Sequence, residues 1–576
     1  MNPLWPVLPA LALLVVVAEI RRSRRQRLAR IRASWGAPIE RVRRMDAMST
    51  SHAARIAAFT SAHSLDERTW VDLNLDDVFA AIDRTQSTLG QHALYHRLRT
   101  MPVADHLGAF EALVRRMTVD STARERTQMA LSRLQDPHGY DVWWLGSADA
   151  VERRSWYLVF PVLTATAFVL AVLAPFWSAA VMPFVAVLAV NWAVRYATDS
   201  QVGTIARSFR QCAPLIATAE AMRFLVGDDI DPIVSPLRTD VPALARLKLI
   251  SRWVNGDPFM LAINPDPLAG VVSDVVSAVY EYLNLAFLLD ATGVYFGVRD
   301  LSRHGRALIR ATAAAGDVDA AISIASFRTG RSDWTQPDFR AAEAPIEFNE
   351  LRHPLVDDAV PNSVVLRAGS GVLVTGSNMS GKSTFLRTVG VNAILAQTIT
   401  TCLAREYRAP IFHVRSCIGR ADDLLAGKSY YIVEVESLLE LVRASDDSTP
   451  HLFLLDELFR GTNAVERIAA GRAVLHQLLR ASKGIAKPHV VIAATHDREL
   501  VDLTSGTFDS YHFGDSIGPE GLVFDHRLQH GPSTTRNAIA LLRLQGAPET
   551  LLTEAVATAE MLDRQRGITL EAVSKT

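Results

Sequence analysis

The stretch "TGSNMSGKSTFLRT", Thr375 to Thr388, decides how this chain is read. It follows "GVLV", so that Gly371 to Thr375 form a short apolar run of the kind that makes a buried strand. Gly376, Ser377, Asn378, Met379, Ser380, Gly381, Lys382 and Ser383 then match GxxxxGK[ST], and the chain continues from Thr384 as a helical pattern. Strand, glycine-rich loop and helix in that order make a phosphate-binding loop. The glycines let the backbone curl until its N–H groups face phosphate oxygens, and the helix N-terminus adds partial positive charge. Residues Gly376 to Thr384 are therefore expected to hold ATP, with Lys382 on the β- and γ-phosphates and the Ser383 hydroxyl on Mg²⁺.

Two more strand ends fit the same site. "HLFLLDEL", His451 to Leu458, ends in a carboxylate pair. Asp456 at the strand tip suits a Mg²⁺ ligand, and Glu457 suits the base that orients the attacking water. "HVVIAATHDREL", His489 to Leu500, places His496 after a third strand, where it can sense the γ-phosphate or its water. Between these lies Leu424 to Val442, helical in spacing from Tyr431 onward; Ser429, just ahead of it, suits either an N-cap or a phosphate contact.

With 576 residues, about half of them apolar, the chain has material for several domains, and its net charge of −1 argues neither for nor against nucleic acid. The three cysteines, Cys212, Cys402 and Cys417, show no CxxC spacing, which excludes a disulfide framework or a zinc site of the usual pattern. Two regions are too apolar for a soluble surface. Pro3 to Ile20 is long enough to cross a bilayer, and Trp156 to Val194 is long enough for two crossings, with a turn at Ala174 to Ser178. Arg21 to Arg44 holds ten arginines and one glutamate; Arg153, Arg154 and Arg195 flank the second region. These three basic flanks belong in the cytoplasm, which gives a short external N-terminus, three spans and hence a multi-pass protein of the cell (inner or plasma) membrane with a cytoplasmic ATPase domain. The arginine run also suits anionic lipid or nucleic acid. Val271 to Val298 is apolar too, but contains Asp274, Glu281 and Asp290, and reads as a buried soluble helix.

The order "TGSNMSGKSTFLRT", "SYYIVEVESL", "LLDELFRGTN", "ATHDREL" resembles the ATPase domain of the MutS family, a branch of the ABC-type ATPases. Asn378-Met379 inside the loop is typical of MutS-like proteins. "ELRHPLV" (Glu350 to Val356) resembles the segment that opens that domain, "GPSTTRNAIALLRLQGAP" (Gly531 to Pro548) its C-terminal pairing segment, and Leu75 to Pro102 the start of the MutS core and lever region. The resemblance implies a homodimer in which each ATP site is completed by the partner. Ser429 would then reach the γ-phosphate across the interface, Asn378 would lie near that phosphate, and Arg460, Gly461 and Thr462 would line the junction. Ser380 departs from the usual glycine.

The expected fold class is thus an α/β P-loop ATPase domain of ABC/MutS type plus a mainly α-helical core and lever region with transmembrane helices. Its divisions are an anchor at 1–20, an arginine-rich linker at 21–70, helical core at 71–150, a transmembrane hairpin at 156–194, core and lever at 195–340, and the ATPase domain with dimerisation helices at 345–576. The mismatch-reading domain of repair MutS proteins is expected to be absent; the one Phe-x-Glu, Phe348 to Glu350, sits at the edge of the ATPase domain. Two functions follow: an ATPase that moves helical levers at a membrane, acting on DNA or on a protein partner, or a tethered repair or recombination protein that binds mismatched or branched DNA. An ABC transporter fits poorly, because no LSGGQ-like signature stands where "GKSYYIVEVESL" does.

Overall fold

The computed structural model describes the chain except residues 1–6, 59–63, 102–103, 137–138, 141, 147–153, 255–277, 341–344, 368, 378, 419–429, 447–448, 481–488, 519–520, 533–537 and 566–576. The chain divides into two compact units, residues 1–64 with 79–332, and residues 65–78 with 333–576.

The first unit is helical. Its axis is the helix Leu289–Thr329, whose 41 residues span about 60 Å. Helices Thr88–Arg99, Ala104–Val119, Val181–Arg210 and Ala245–Val254 pack against it. Polar groups fix the register. Asp319, fully buried, accepts hydrogen bonds from the backbone N–H of Gln86 (2.9 Å) and Ser87 (2.8 Å) and from Ser87 Oγ (2.5 Å). Ser87 is itself the N-cap of Thr88–Arg99 and accepts from Gly90 N–H. A side chain at position 90 would collide with the Asp319 carboxylate. At the far end, Gly36 N–H donates to Ser326 Oγ at 2.9 Å, and Gly330 lies so close to Gly36 that a Cβ there would meet the Gly36 carbonyl at 2.0 Å.

Two helices of this unit are long and apolar enough to cross a membrane, Ser155–Leu173 and Ser178–Thr198, and only 17% and 11% of their apolar windows are buried. Phe168, Val172, Phe176, Trp177, Met182 and Val185 are exposed along them. The second continues without a break to Arg210. The N-terminal helix Val7–Ala33 carries the other apolar stretch; its side chains before Ala18 lie outside the described residues.

Of Val271 to Val298, the part from residue 278 on departs from the buried helix expected of it; residues 271–277 lie outside the described residues. Residues 278–287 are helical, with Val279, Tyr282 and Leu283 exposed, and the chain breaks at Leu288, whose φ is +47°. The reason is that side chains of the apolar helices take up the carbonyls a helix end leaves free. Asn191 Nδ2 donates to Ala286 O at 2.6 Å, and Thr164 Oγ1 donates to Phe287 O at 2.6 Å. Across the break, the Asp290 carboxylate accepts from Tyr280 (2.6 Å), Asn284 (2.8 Å) and Arg210 (3.0 Å).

The second unit is α/β. Its strands are β1 (Asp338–Phe339), β2 (Ile346–Leu351), β3 (Asn362–Leu366), β4 (Gly371–Thr375), β5 (Glu406–Ala409), β6 (His413–Cys417), β7 (His451–Asp456), β8 (Val490–Ala494), β9 (Phe508–Gly518) and β10 (Gly521–His530). The main sheet has the order β10-β9-β4-β8-β7-β6, parallel except for the β9–β10 hairpin; a smaller sheet has the order β1-β5-β2-β3. β4 and β8 are buried at every residue, as a parallel strand covered on both faces must be. Leu373, Phe453, Leu455 and Val491 of the sheet pack with Leu438 and Leu441 of helix Tyr430–Ala444 and with Leu475 and Leu478 of helix Ala464–Arg480.

Leu65–Val78 folds with this unit. Asp72, buried, accepts from Ser416 Oγ and from Ile418 N–H, both at 2.8 Å, and Thr69 Oγ1 accepts from Ser416 N–H at 3.0 Å. Leu73 packs where Gly390 leaves room for no side chain.

Candidate functional site

Register builds the site. Val374 of β4 and Asp456 of β7 both lie level with Ala494 of β8, so three strands end side by side at their carboxyl edges. In an open parallel sheet that edge is where ligands bind. The segments leaving the strands are Gly376–Gly381, Glu457–Phe459 and Thr495–Asp497.

Gly376–Gly381 turns sharply. Gly376, Met379 and Gly381 have φ of +147°, +70° and +113°, and a Cβ on Gly376 would stand 2.7 Å from Ser380 Oγ. The turn ends at the N-terminus of helix Lys382–Ile399. Lys382 Nζ donates to the carbonyls of Gly376 (2.9 Å) and Ser377 (2.8 Å) and stands 3.4 Å from His496 Nε2. Burial pushes its amine down to about 8, against the pull of Asp456. The same burial lowers His496, with Lys382 and Arg460 adding to it.

Ser383 Oγ donates to Asp456 Oδ2 at 2.5 Å. The other oxygen, Asp456 Oδ1, is buried with no hydrogen-bond partner among the described residues. Ser377 Oγ, Ser380 Oγ and His353 Nε2 share that condition. Two of these atoms belong to the turn, while Asp456 and His353 line the cavity beside it, a distribution that suits a polar ligand and a cation. A hydroxyl and a carboxylate, hard oxygen donors, fit Mg²⁺.

Glu457 is buried and held in a left-handed backbone conformation, φ +51°, as is Phe459 at +57°. Its carboxylate takes His496 Nε2 at 2.7 Å on one oxygen and pairs with Arg460 on the other. The Nε2–H tautomer of His496 makes that contact a donated hydrogen bond. Glu434, on helix Tyr430–Ala444, accepts from Phe459 N–H at 2.6 Å and so holds the strained turn from below. Arg467 holds the third segment by a two-pronged pair with Asp497, at 2.8 and 2.6 Å.

A cavity of about 750 Å³ opens over these residues; Met379 and Thr384 line it beside Lys382, Ser383, Asp456 and Glu457. Of the residues expected to act, the structure gathers Gly376, Ser377, Met379, Ser380, Gly381, Lys382, Ser383, Thr384, Asp456, Glu457 and His496. Asn378 and Ser429 lie outside the described residues. Arg460, expected at an interface, pairs with Glu457 of its own chain. Three residues received no site role from the sequence. His353 and His526 both line the cavity. His526 sits at a bulge in β10 with φ +53°, held by Asn362 Nδ2 on its carbonyl at 3.0 Å, and its Nδ1 meets Ser380 O at 3.0 Å. Glu434 is the third. No local pattern marks a lone histidine or a helical glutamate as part of a site, though "ELRHPLV" contains His353.

Fold and site define a class: a parallel α/β domain with a glycine-turned loop opening a helix beside a carboxylate-bearing strand end. Residues 372–563 match the family described as MutS domain V. The chain is 33% identical over 281 residues to the DNA mismatch repair protein MutS 2 of Halobacterium salinarum, covering 47% of this chain and 30% of that protein. It is 31% identical over 287 residues to the DNA mismatch repair protein MutS of Thermus aquaticus, covering 49% and 34%, and 31% identical over 245 residues to that of Lactobacillus acidophilus, covering 41% and 28%. Over residues 372–563, and more loosely over about half its length, the chain is similar to the MutS family, a family of ATPases. It spans about a third of the length of the curated relatives it matches.

Proposed function

We propose that the chain is a membrane-anchored ATPase that hydrolyses Mg²⁺-ATP at sites completed by a second copy and uses the cycle to move its helical unit. The observation that carries the hydrolytic half is the orphaned Asp456 Oδ1 beside Ser383 Oγ. In this reading Gly376 to Thr384 form a P-loop. Lys382 gives up the carbonyls of Gly376 and Ser377 and turns its amine to the β- and γ-phosphates. Ser383 and Asp456 hold Mg²⁺, which when bound neutralises charge on the phosphate oxygens. Glu457 accepts a proton from the attacking water, and His496, bonded to Glu457, orients that carboxylate and senses the γ-phosphate. Glu457 engages both Arg460 and His496; release of Arg460 toward a partner chain would free the carboxylate oxygen it holds. Ser429 and Asn378 complete the site in the dimer.

The membrane half rests on the apolar hairpin, which exposes its hydrocarbon surface and carries aromatic residues at both ends: Phe176 and Trp177 at the turn, Trp156, Trp192 and Tyr196 at the base. With Pro3–Ile20 this makes three spans and a cytoplasmic ATPase unit. The long helix Leu289–Thr329 begins where Thr164 and Asn191 of the hairpin bind the chain, and serves as the moving element. Its load is DNA or a protein partner. The second reading, a tethered protein that binds mismatched or branched DNA, is favoured by the names of the relatives. One experiment separates them: the ATPase rate of the detergent-solubilised chain with no DNA, homoduplex, mismatched duplex and branched duplex. A rate raised by mismatch or junction supports the second reading; a rate indifferent to all four sinks it. A chain with no ATPase activity refutes both.

A further inference from the structure

A second cavity, of about 520 Å³, lies in the helical unit, far along the chain from the P-loop. Its walls are the last turns of helix Val7–Ala33, the segment Ile39 to Met48, the start of helix Thr88–Arg99, and Ser132 with Gln135. Four arginines line it, Arg27, Arg30, Arg41 and Arg44, and no carboxylate does. Arg41 is spent on buried Asp83, at 2.7 Å, which Arg43 also binds, and Arg44 pairs with Asp46. Arg27 and Arg30 have neither hydrogen bond nor ion pair from their side chains to any described residue. The rest of the lining mixes polar groups, among them Thr88 and His92, with the apolar Ile31, Ile39, Val42 and Met48; Ser34, Thr85 and Gln91 also face it but already donate to Ile31 O and to Asp83.

Cations do not gather without a counter-charge unless one is to be supplied. Burial together with the fields of Arg133 and Arg30 lowers the Arg27 guanidinium from its ordinary value, so its charge is held at a disadvantage that a bound anion would remove. The volume suits a single headgroup or small molecule and is too small for a duplex. Guanidinium forks and hydroxyls are the donors that recognise phosphate.

We infer that this cavity binds a phosphate-bearing anion, held by Arg27 and Arg30. Two sources share that chemistry, an anionic phospholipid headgroup and a soluble phosphate compound. The lipid source rests on the membrane reading: Arg27 lies seven residues, about 10 Å of helix, beyond the apolar stretch ending at Ile20, close to headgroup depth.

The test uses the full-length chain in neutral detergent with excess Mg²⁺-ADP, so that the first site is filled. One arm titrates short-chain phosphatidylglycerol against short-chain phosphatidylcholine; the other titrates inorganic pyrophosphate, both followed by calorimetry. Saturable binding of phosphatidylglycerol over phosphatidylcholine assigns the lipid source, and binding of pyrophosphate alone assigns the soluble one. In either case the pair Arg27→Gln/Arg30→Gln weakens binding by at least about tenfold, whereas Arg24→Gln/Arg25→Gln on the same helix leaves it unchanged. Should the first pair fail to fold, the single exposed Arg30→Gln is read in its place. No saturable binding in either arm, binding unaffected by loss of Arg27 and Arg30, or an equal loss in the control pair would each overturn the inference.

Discussion

The pairing of Ser383 with Asp456 gives the sharpest test of the proposed ATP site. In Asp456→Asn the oxygen that accepts from Ser383 survives, at a contact now 2.5 Å long, but the charge is gone. The domain should therefore fold: its thermal midpoint should stay within a few degrees of wild type. Metal binding should not survive. A carboxylate about 4 Å from a cation, at an effective dielectric of about 20, contributes about 4 kcal/mol per unit charge. Discounting for the open side of the cavity leaves about 3 kcal/mol, or about a hundredfold in affinity. The assay is the affinity of a fluorescent ATP analogue measured with EDTA and then with rising Mg²⁺. Wild type should bind more tightly as Mg²⁺ rises; the variant should lose most of that increment while its affinity in EDTA barely moves. An unchanged Mg²⁺ increment in a folded variant would show that Asp456 Oδ1 faces no cation, and would remove the main support for the site.

Four further outcomes are expected. Glu457→Gln should bind ATP as wild type does but hydrolyse it at least about a hundredfold more slowly, and gel filtration should find it held as an ATP-bound dimer; a wild-type rate would disprove the base assignment. Mixing Ser429→Ala chains with Lys382→Ala chains should restore activity by forming one intact composite site, and a mixture no more active than its parts argues against completion in trans. Asp72→Ala leaves Ile418 N–H and Ser416 Oγ without their buried acceptor and should destabilise the C-terminal unit by about 3 kcal/mol in chemical unfolding; a change within error would mean that Leu65–Val78 docks only by apolar contact. Acid should weaken the fold at its buried histidines, with part of the effect offset by buried Asp319, which burial pushes up to about 6. Burial pushes His92, His353 and His451 down to about 4, so between about 6.5 and 4 the unfolded chain binds more protons than the folded one, and stability falls as pH falls. Each can remove up to about 3 kcal/mol, and a melting temperature that is flat across that interval in an Asp319→Asn background would contradict the burial of these rings.

What the sequence made legible was whatever is local. The strand Gly371–Thr375, its loop and its helix are contiguous, and their spacing alone marks the turn. Asp456 and His496 stand directly after apolar runs, so the strand ends could be located, although only the register through Ala494 brings them level. What stayed hidden depends on pairs distant in sequence. Asp72 reads as an ordinary helical carboxylate until Ser416 and Ile418 fold onto it. His526 is aimed by a bulge that no alternation predicts, and Glu434 sits among glutamates of identical appearance, distinguished only by the Phe459 N–H above it. Val271 to Val298 misled because hydropathy registers apolar content, whereas its fate was set by Asn191 and Thr164 on other helices.

The fastening of Gly36 against Gly330 bears on how the helical unit can carry force. The long helix is gripped near its start by hairpin side chains and near its finish by the chain that leaves the N-terminal helix. A rod free at one end swings, but a rod pinned at both ends acts as a strut: it passes on push and pull along its length and resists bending. Any displacement imposed at Thr329 would then be shared between the N-terminal helix and the hairpin, and would reach them as a change in their spacing or tilt.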